Sequence, residues 1–228
     1  MQRKLQMYLP NVPCHVVLRG NNRNPCFFRD EDYSVYLKFL KDALEKYSVS
    51  LHSYVLMPDH VHLFMTPDDD HGASHTIESV CKFYEQYVLK AYRLSGRIWE
   101  ELHKASLVQA ESYALACYCY IEMNPVRTEF VKHPGDYRWS SYRSNAYGEV
   151  NPLITGHEIY NQLGNDLGLR RSVYRDLFNL NYGKDVISDI RSATYCSMPL
   201  GDDRFRVEIE HALGRKISYT FPNALNMA

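Results

Sequence analysis

Long apolar runs are missing from this 228-residue sequence, and with them the usual marks of a membrane or secreted protein. No run is long enough to span a bilayer, and the basic start of the chain is not followed by the apolar core of a signal peptide. Paired C-x-x-C spacing is also missing, so the six scattered cysteines favour reduced thiols over a zinc site. We therefore expect a cytoplasmic protein with no membrane segment.

The sequence also has no excess of positive charge. Its formal net charge is −1, which argues against indiscriminate coating of duplex DNA. The charges are unevenly distributed, however, because every charged side chain from residue 1 to residue 29 is basic. Since affinity for phosphate depends on clustered Lys and Arg, a local surface for nucleic acid remains compatible with this composition.

The most informative stretch is residues 58–65, which read P-D-H-V-H-L-F-M. The Pro-Asp pair follows an apolar run and predicts a tight turn between two antiparallel strands. Because side chains alternate along a strand, His60 and His62 project from one face while the apolar residues between them face a core. Two adjacent imidazoles can hold a divalent metal, although a solvated sheet face could carry the same pair.

A second informative segment, residues 106–131, predicts a helix with an apolar stripe. At ~100° per residue, Tyr120 and Asn124 fall only ~40° apart on one flank of that stripe. If this helix packs across the open face of the sheet, both side chains face His60 and His62. The pattern then predicts a single site built from an early hairpin and one later helix.

Such a site would combine two imidazole nitrogens with the amide oxygen of Asn124, a donor set that suits Mg²⁺ or Mn²⁺. Tyr120 would be the candidate nucleophile toward a phosphate at that site. Two simpler interpretations remain open. Tyr120 is one of 19 tyrosines and could be a partly buried aromatic, and Asn124 precedes Pro125 and could cap a new helix.

The remaining pattern is typical of an α+β protein. A strand at residues 14–19, a helix after residue 30, the histidine hairpin and a helix after Ser74 predict an antiparallel sheet with helices on one face. Further helices are predicted at residues 170–180 and 202–213. We place a catalytic domain at residues 1–148 and a helical C-terminal extension, without chemistry of its own, at residues 149–228.

At these positions the sequence resembles a known family, the IS200-like single-tyrosine transposases of the HUH endonuclease superfamily, and among them the REP-associated tyrosine transposases. The resemblance is carried by R-G-N-N-R at 19–23, L-M-P-D-H-V-H-L at 56–63 and Y-I-E-M-N-P-V-R at 120–127. Y-R-W-S-S-Y at 137–142 and L-G-D-D-R-F at 200–205 extend it, so that it covers nearly the whole chain in order.

The resemblance implies a ferredoxin-like sheet with helices packed on one face and the tyrosine helix on the other. It implies an enzyme that nicks and rejoins single-stranded DNA near hairpins, with His60, His62 and Asn124 holding Mg²⁺ or Mn²⁺. Tyr120 would become linked to a 5′ phosphate. Contacts with the DNA are expected from Arg19, Asn21, Asn22, Arg23, Lys104, Arg127 and Trp139. The protein would associate with the nucleoid as a monomer or homodimer.

Two other functions are compatible with parts of this pattern. A protein of the same fold could bind repeat hairpins as a regulator without turnover. A histidine-triad nucleotide hydrolase also carries alternating histidines on a strand, but that chemistry needs a further histidine where this chain has Phe64. The resemblance therefore favours the transposase over both.

Overall fold

The computed structural model describes residues 8–179 and 184–217. It contains four strands, β1 Cys14–Arg19, β2 Val49–Met57, β3 His60–Pro67 and β4 Lys104–Leu107, with α1 Asp30–Lys46 and α2 Gly72–Tyr92 between them. The segments that follow are α3 Ala110–Glu122, α4 Asn124–Arg127, α5 Tyr142–Tyr147, α6 Glu158–Asn161, α7 Leu167–Leu177, α8 Lys184–Cys196 and α9 Asp203–Ala212.

The four strands form one antiparallel sheet in the order β2-β3-β1-β4. The elements follow the chain order strand–helix–strand–strand–helix–strand, and β3, which carries His60 and His62, is an interior strand of the sheet. The turn at residues 58–59 joins β2 to β3 as the sequence predicted. The α+β prediction is confirmed.

Each face of the sheet is covered by different helices. Helices α1 and α2 pack together on one face, over apolar residues such as Val16, Leu63 and Met65. Helix α3 packs on the other face against β2 and β3, where Phe64 and Val55 belong to a second core. The predicted arrangement, with the tyrosine helix on the face opposite to α1 and α2, is therefore observed.

The segment at residues 106–131 is not one continuous helix, and this part of the prediction is wrong. Ser106 is in β4, which pairs with the central strand β1. Residues alternate there with the two-residue period of a strand: Ala105 and Leu107 join the core under α1 and α2, while Ser106 faces the α3 side. The helix begins only at Ala110, because strand pairing outweighs helical propensity in these four residues.

Helix α3 also stops before the asparagine. Met123 separates α3 from the short helix α4, whose second residue is Pro125. Proline has no amide hydrogen and cannot continue the ladder of a preceding helix, but it is well tolerated in a first turn. Asn124 therefore opens α4, and the structure shows Met123, not Asn124, in the N-cap position.

The C-terminal segments pack directly on the sheet. Helix α8 contacts β4, β1 and α3, and the amide of Leu200 donates to the carbonyl of Leu107 at 2.7 Å, extending the sheet edge. Helix α9 begins at Asp203 with Asp202 as its cap, close to its predicted bounds. Helix α7 begins three residues before the predicted 170–180, and Leu180 lies outside the described residues. Helix α8 was not predicted.

Within residues 8–179 and 184–217, no helix is long and apolar enough to cross a membrane.

Candidate active site

The register of the sheet gathers histidines from two strands on the face toward α3. Along β1, His15 lies opposite Phe64, Val17 opposite His62 and Arg19 opposite His60, each two pairs from the last. The rings of His15 and His62 stack with centroids 5.0 Å apart. The sheet register therefore places three imidazoles side by side on this face, one more than the sequence predicted.

One side of the His60 ring is held by its neighbour in the turn. Its Nδ1 lies 2.7 Å from Oδ1 of Asp59, an acceptor, so Nδ1 carries the hydrogen. This hydrogen bond is the largest cause of the lowered pKa of Asp59. The other ring nitrogen, Nε2, then keeps its lone pair and lies 3.3 Å from the amide nitrogen of Asn124.

The His62 ring is deeply buried, with 5% of its surface exposed. Its Nδ1 lies 2.8 Å from Nε2 of His15. Burial, followed by repulsion from the nearby His15, His60 and Arg127, holds the pKa of His62 well below its usual range. Burial likewise lowers the pKa of His15 to about 3. Both rings are neutral at physiological pH, which is the form that can bind a metal ion.

Helices α3 and α4 bring the tyrosine and the asparagine to this face. The Tyr120 ring lies edge-on to His15 and His62, with centroid distances of 5.8 and 5.9 Å. Arg127, the last residue of α4, places its guanidinium 4.2 Å from the centroid of the Tyr120 ring. Burial lowers the pKa of Arg127 to about 10, and its interaction with Tyr120 partly opposes this shift. An arginine that remains charged thus covers the phenol.

These side chains line a cavity of about 620 Å³. Its lining includes the predicted metal and nucleophile residues and is rich in basic groups, namely Arg19, Arg23, Lys104, Arg127 and Arg191, with Glu100 as an acidic member. A chain with a net charge of −1 therefore concentrates positive charge at one place. Such a concave basic surface suits the phosphates of a nucleic acid.

Not all of the predicted DNA contacts reach this cavity. Asn21 and Asn22 lie in the short 3₁₀ turn after β1, and neither lines the cavity. Trp139 is 8% exposed and stacks on Tyr33 at 4.7 Å in the core below α1, with the Arg138 guanidinium 4.3 Å from its ring centroid. The structure thus brings Arg19, Arg23, Lys104 and Arg127 together but leaves these three residues apart.

His15, Arg191, Thr194 and Tyr195 are among the cavity residues that the sequence did not predict. His15 lies in a strand that the sequence predicted, but only the register of β1 against β3 brings it beside His62. The other three belong to α8, in the extension that was expected to carry no chemistry. Nothing in their sequence pattern signals a site, because their proximity comes from the packing of α8 on β4 and β1.

Among the described residues, no group of three His, Cys, Asp or Glu side chains is arranged to hold a metal ion. The His60–His62 pair has an amide, Asn124, as its third neighbour. A metal site here therefore depends on Asn124 turning its Oδ1, instead of its Nδ2, toward the histidines, which requires only a rotation of the amide.

A buried carboxyl anchors the helix that carries Tyr120. Glu122 is fully buried and accepts hydrogen bonds from the hydroxyl of Ser141 at 2.6 Å, the amide of Asn145 at 2.8 Å and the hydroxyl of Tyr174 at 2.6 Å. Burial raises the pKa of Glu122 to about 7, although these three donors oppose the shift. Glu122 thereby ties the end of α3 to α5 and α7.

Comparison with known proteins places this chain in a family. The model of the IS200-like transposases matches residues 8–124, which is 117 of the 228 residues. The chain belongs to the IS200-like transposase family, and it is a transposase. No curated protein sequence matches it significantly.

The solved structures that match the chain include the following two. One, of a REP-associated tyrosine transposase bound to a REP hairpin, matches with a TM-score of 0.55 at 19% identity and covers 69% of this chain and 93% of its own. The second, of a Deinococcus radiodurans protein assigned as a transposase, has a TM-score of 0.38 at 17% identity, covering 50% of this chain and 92% of its own. The first match shows that the chain has the fold of a REP-associated tyrosine transposase, as the sequence motifs indicated.

Proposed function

We propose that this transposase nicks and rejoins single-stranded DNA beside hairpins, in a metal-dependent reaction that passes through a 5′-phosphotyrosine on Tyr120. The observation that carries the proposal is the convergence of Tyr120, Asn124, His60 and His62 on one basic cavity within a single chain. A phenol, a possible metal site and clustered cations are the parts that phosphoryl transfer to a tyrosine needs.

The residues present fit a hard divalent ion. His60 and His62 are each bonded through Nδ1, which leaves Nε2 as the donor atom of each ring, and the amide oxygen of Asn124 would be the third ligand. This mixed nitrogen and oxygen set suits Mg²⁺ or Mn²⁺. When bound, the ion would polarise the scissile phosphate and stabilise the charge that develops on it.

The proposed step conserves the number of phosphoester bonds. The phenolic oxygen of Tyr120 forms a bond to phosphorus as the bond from phosphorus to the 3′ oxygen breaks. The phenolic proton is balanced by the proton gained at the released 3′ hydroxyl. Arg127 over the Tyr120 ring and Arg19 and Lys104 across the cavity would bind the phosphate backbone and hold it in line for attack. Because the tyrosine ester keeps the bond energy, the reverse step can rejoin a strand.

The proposed substrate is single-stranded DNA that carries a hairpin, as in the REP-hairpin complex of the structural relative. Arg19, Arg23, Lys104 and Arg127 would contact its backbone from the cavity wall. Asn21 and Asn22 would act from the adjoining turn, which is mostly exposed. For Trp139, buried against Tyr33, a DNA contact would require the ring to leave its stack.

We further propose that residues 1–148 are the catalytic domain and residues 149–228 its helical extension. Contacts of α8 with β1, β4 and α3 make that extension a wall of the cavity. The side chains of Tyr120, Asn124, His60 and His62 all come from one chain, which is compatible with a monomer and with a homodimer. Association with the nucleoid is expected to follow from DNA binding.

The direct test is to trap the covalent product. The protein is incubated with end-labelled single strands that carry a hairpin and a flanking single-stranded segment, with Mn²⁺ or with EDTA, and resolved on a denaturing gel. We expect a labelled protein band and a released 3′-hydroxyl fragment with Mn²⁺, and a loss of at least about 100-fold with EDTA. Tight binding to the hairpin with no covalent band in either condition would instead support the silent regulator.

The basic wall makes a separate prediction for DNA affinity. Lys104→Ala removes one cation from the cavity, and we expect a several-fold weaker affinity for single-stranded DNA. The slope of log affinity against log salt should fall by about 0.7, the value for one phosphate contact to a single strand. Fluorescence anisotropy over a salt series measures both quantities.

The matched control is Lys82→Ala, which removes an exposed lysine from α2 on the opposite side of the sheet. Its affinity and salt slope should equal those of the parent protein. Equal effects of the two substitutions would show that the protein responds to net charge alone, and the cavity would lose its role as the DNA surface.

A further inference from the structure

A buried row of hydrogen bonds joins the C-terminal extension to the histidine pair. The hydroxyl of Thr194 in α8 lies 2.8 Å from the carbonyl oxygen of Ile190 and 2.9 Å from Nδ1 of His15. Nε2 of His15 then lies 2.8 Å from Nδ1 of His62. Thr194 and His15 are 5% and 1% exposed, so solvent has little access to the row.

The Ile190 carbonyl, at one end of this row, fixes the direction of all the hydrogen bonds in it. A backbone carbonyl only accepts, so the Thr194 hydroxyl donates its hydrogen to Ile190. The Thr194 oxygen is then an acceptor, and Nδ1 of His15 must supply the hydrogen between them. A neutral His15 with hydrogen on Nδ1 has a bare Nε2, which accepts the Nδ1 hydrogen of His62. His62 is therefore left with a lone pair on Nε2.

We propose that Thr194 and His15 are positioning residues that hold His62 in the Nδ1–H tautomer, with Nε2 ready to bind a metal ion. The inference rests on the proposed function, because it assumes that Nε2 of His62 is a ligand. It gives α8 a second role. The helix covers the site, and through Thr194 it determines which ring nitrogen of His62 carries the hydrogen. Asp59 does the same for His60 through a single hydrogen bond.

The opposite direction is disfavoured by the same contacts. If Nε2 of His15 carried the hydrogen and donated to His62, Nδ1 of His15 would have to accept from Thr194. The threonine hydroxyl has one hydrogen and would abandon the Ile190 carbonyl. His62 would then carry its hydrogen on Nε2, where it blocks metal binding. The hydrogen bond from Thr194 to the Ile190 carbonyl thus selects the tautomer of His62 that can bind a metal ion.

The first test reads the tautomer directly in the metal-free protein. Long-range ¹H–¹⁵N correlation spectra of uniformly ¹⁵N-labelled protein distinguish protonated from bare ring nitrogens, and His62→Ala identifies the His62 signals. We expect His62 with hydrogen on Nδ1 and a bare Nε2, and His15 in the same tautomer. A dominant Nε2–H form of His62 would overturn the proposal. This measurement needs neither catalysis nor a bound metal.

The second test removes the anchoring hydroxyl. Thr194→Val keeps the branched shape but cannot donate or accept, so we expect His62 to populate both tautomers and the affinity for Mn²⁺ to fall about 10- to 100-fold. Thr194→Ser keeps the hydroxyl and should restore both properties. Mn²⁺ affinity is measured by calorimetry, with His60→Ala defining the signal from other sites.

The outcomes separate this inference from the proposed function. Unchanged tautomer and unchanged Mn²⁺ affinity in Thr194→Val would remove the role of the row, whatever the enzyme does. If Thr194→Val does not fold, the wild-type tautomer still decides. Failure of the wild-type protein to bind Mn²⁺, with the expected His62 tautomer, would count against the metal-dependent reaction while leaving the hydrogen-bond row intact.

Discussion

Tyr120→Phe should abolish the covalent protein–DNA product and lower the nicking rate by at least about 10³-fold, as expected when a nucleophile is removed. The substitution deletes one oxygen and keeps the ring. The edge contacts with His15 and His62 and the stacking under Arg127 should therefore persist. Affinity for hairpin DNA and the midpoint of thermal unfolding should stay close to those of the parent. The rate is measured with a labelled strand under single-turnover conditions.

The matched control is Tyr113→Phe, which makes the same change about two turns earlier on the same flank of α3, outside the cavity. It should retain the covalent product. A product that persists in Tyr120→Phe would redirect attention to Tyr195, the other tyrosine in the cavity lining. Mass spectrometry of the peptide linked to DNA would then identify the nucleophile, and Tyr195→Phe would remove the product.

The hairpin and its histidines could be predicted from sequence because the relevant interactions are local. A Pro-Asp turn and two-residue alternation fix which side chains share a face. The same kind of reasoning predicts Tyr120 and Asn124 on one helical edge; in the structure Met123 divides them between α3 and α4, and both line the cavity. These features need no information about distant segments.

Other parts of the site depend on tertiary packing that local patterns do not encode. His15 is 47 residues from His62 along the chain and 179 residues from Thr194, yet it bonds to both. Their contact requires the register of β1 against β3 and the docking of α8 on the sheet edge. Likewise, β4 has only four residues, and its sequence alone would allow them to join the helix that follows. Pairing with β1 makes them a strand instead.

Trp139 illustrates the reverse difficulty. An aromatic flanked by arginine and hydroxyl residues is typical of a DNA-binding segment as much as of a core. In the structure its ring packs on Tyr33, and the carbonyl of Trp139 accepts from the amide of Leu56 at 2.9 Å. Composition alone does not distinguish a ring that stacks on DNA bases from one that packs in the core next to the edge strand β2.

Glu122→Ala should destabilise the fold by about 3 to 5 kcal/mol, because it leaves three buried donors without their acceptor. Ser141, Asn145 and Tyr174 all donate to this carboxyl from segments C-terminal to α3. Their loss would loosen the end of the helix that carries Tyr120 and Asn124. The free energy of unfolding in urea at neutral pH measures the effect, and a change below about 1 kcal/mol would contradict an anchoring role for Glu122.

The near-isosteric control Glu122→Gln separates the charge of this group from its hydrogen bonds. Because burial raises the folded pKa to about 7, above the ordinary value of 4.5, the folded protein retains a proton there that the unfolded chain releases. Stability should therefore fall as the pH rises from 4.5 to 7, by at most about 3 kcal/mol from this group. Glu122→Gln cannot titrate and should lose that slope, so its stability relative to the parent should improve with rising pH. A difference between the two proteins that stays constant from pH 4.5 to pH 8 would show that Glu122 titrates normally in the fold.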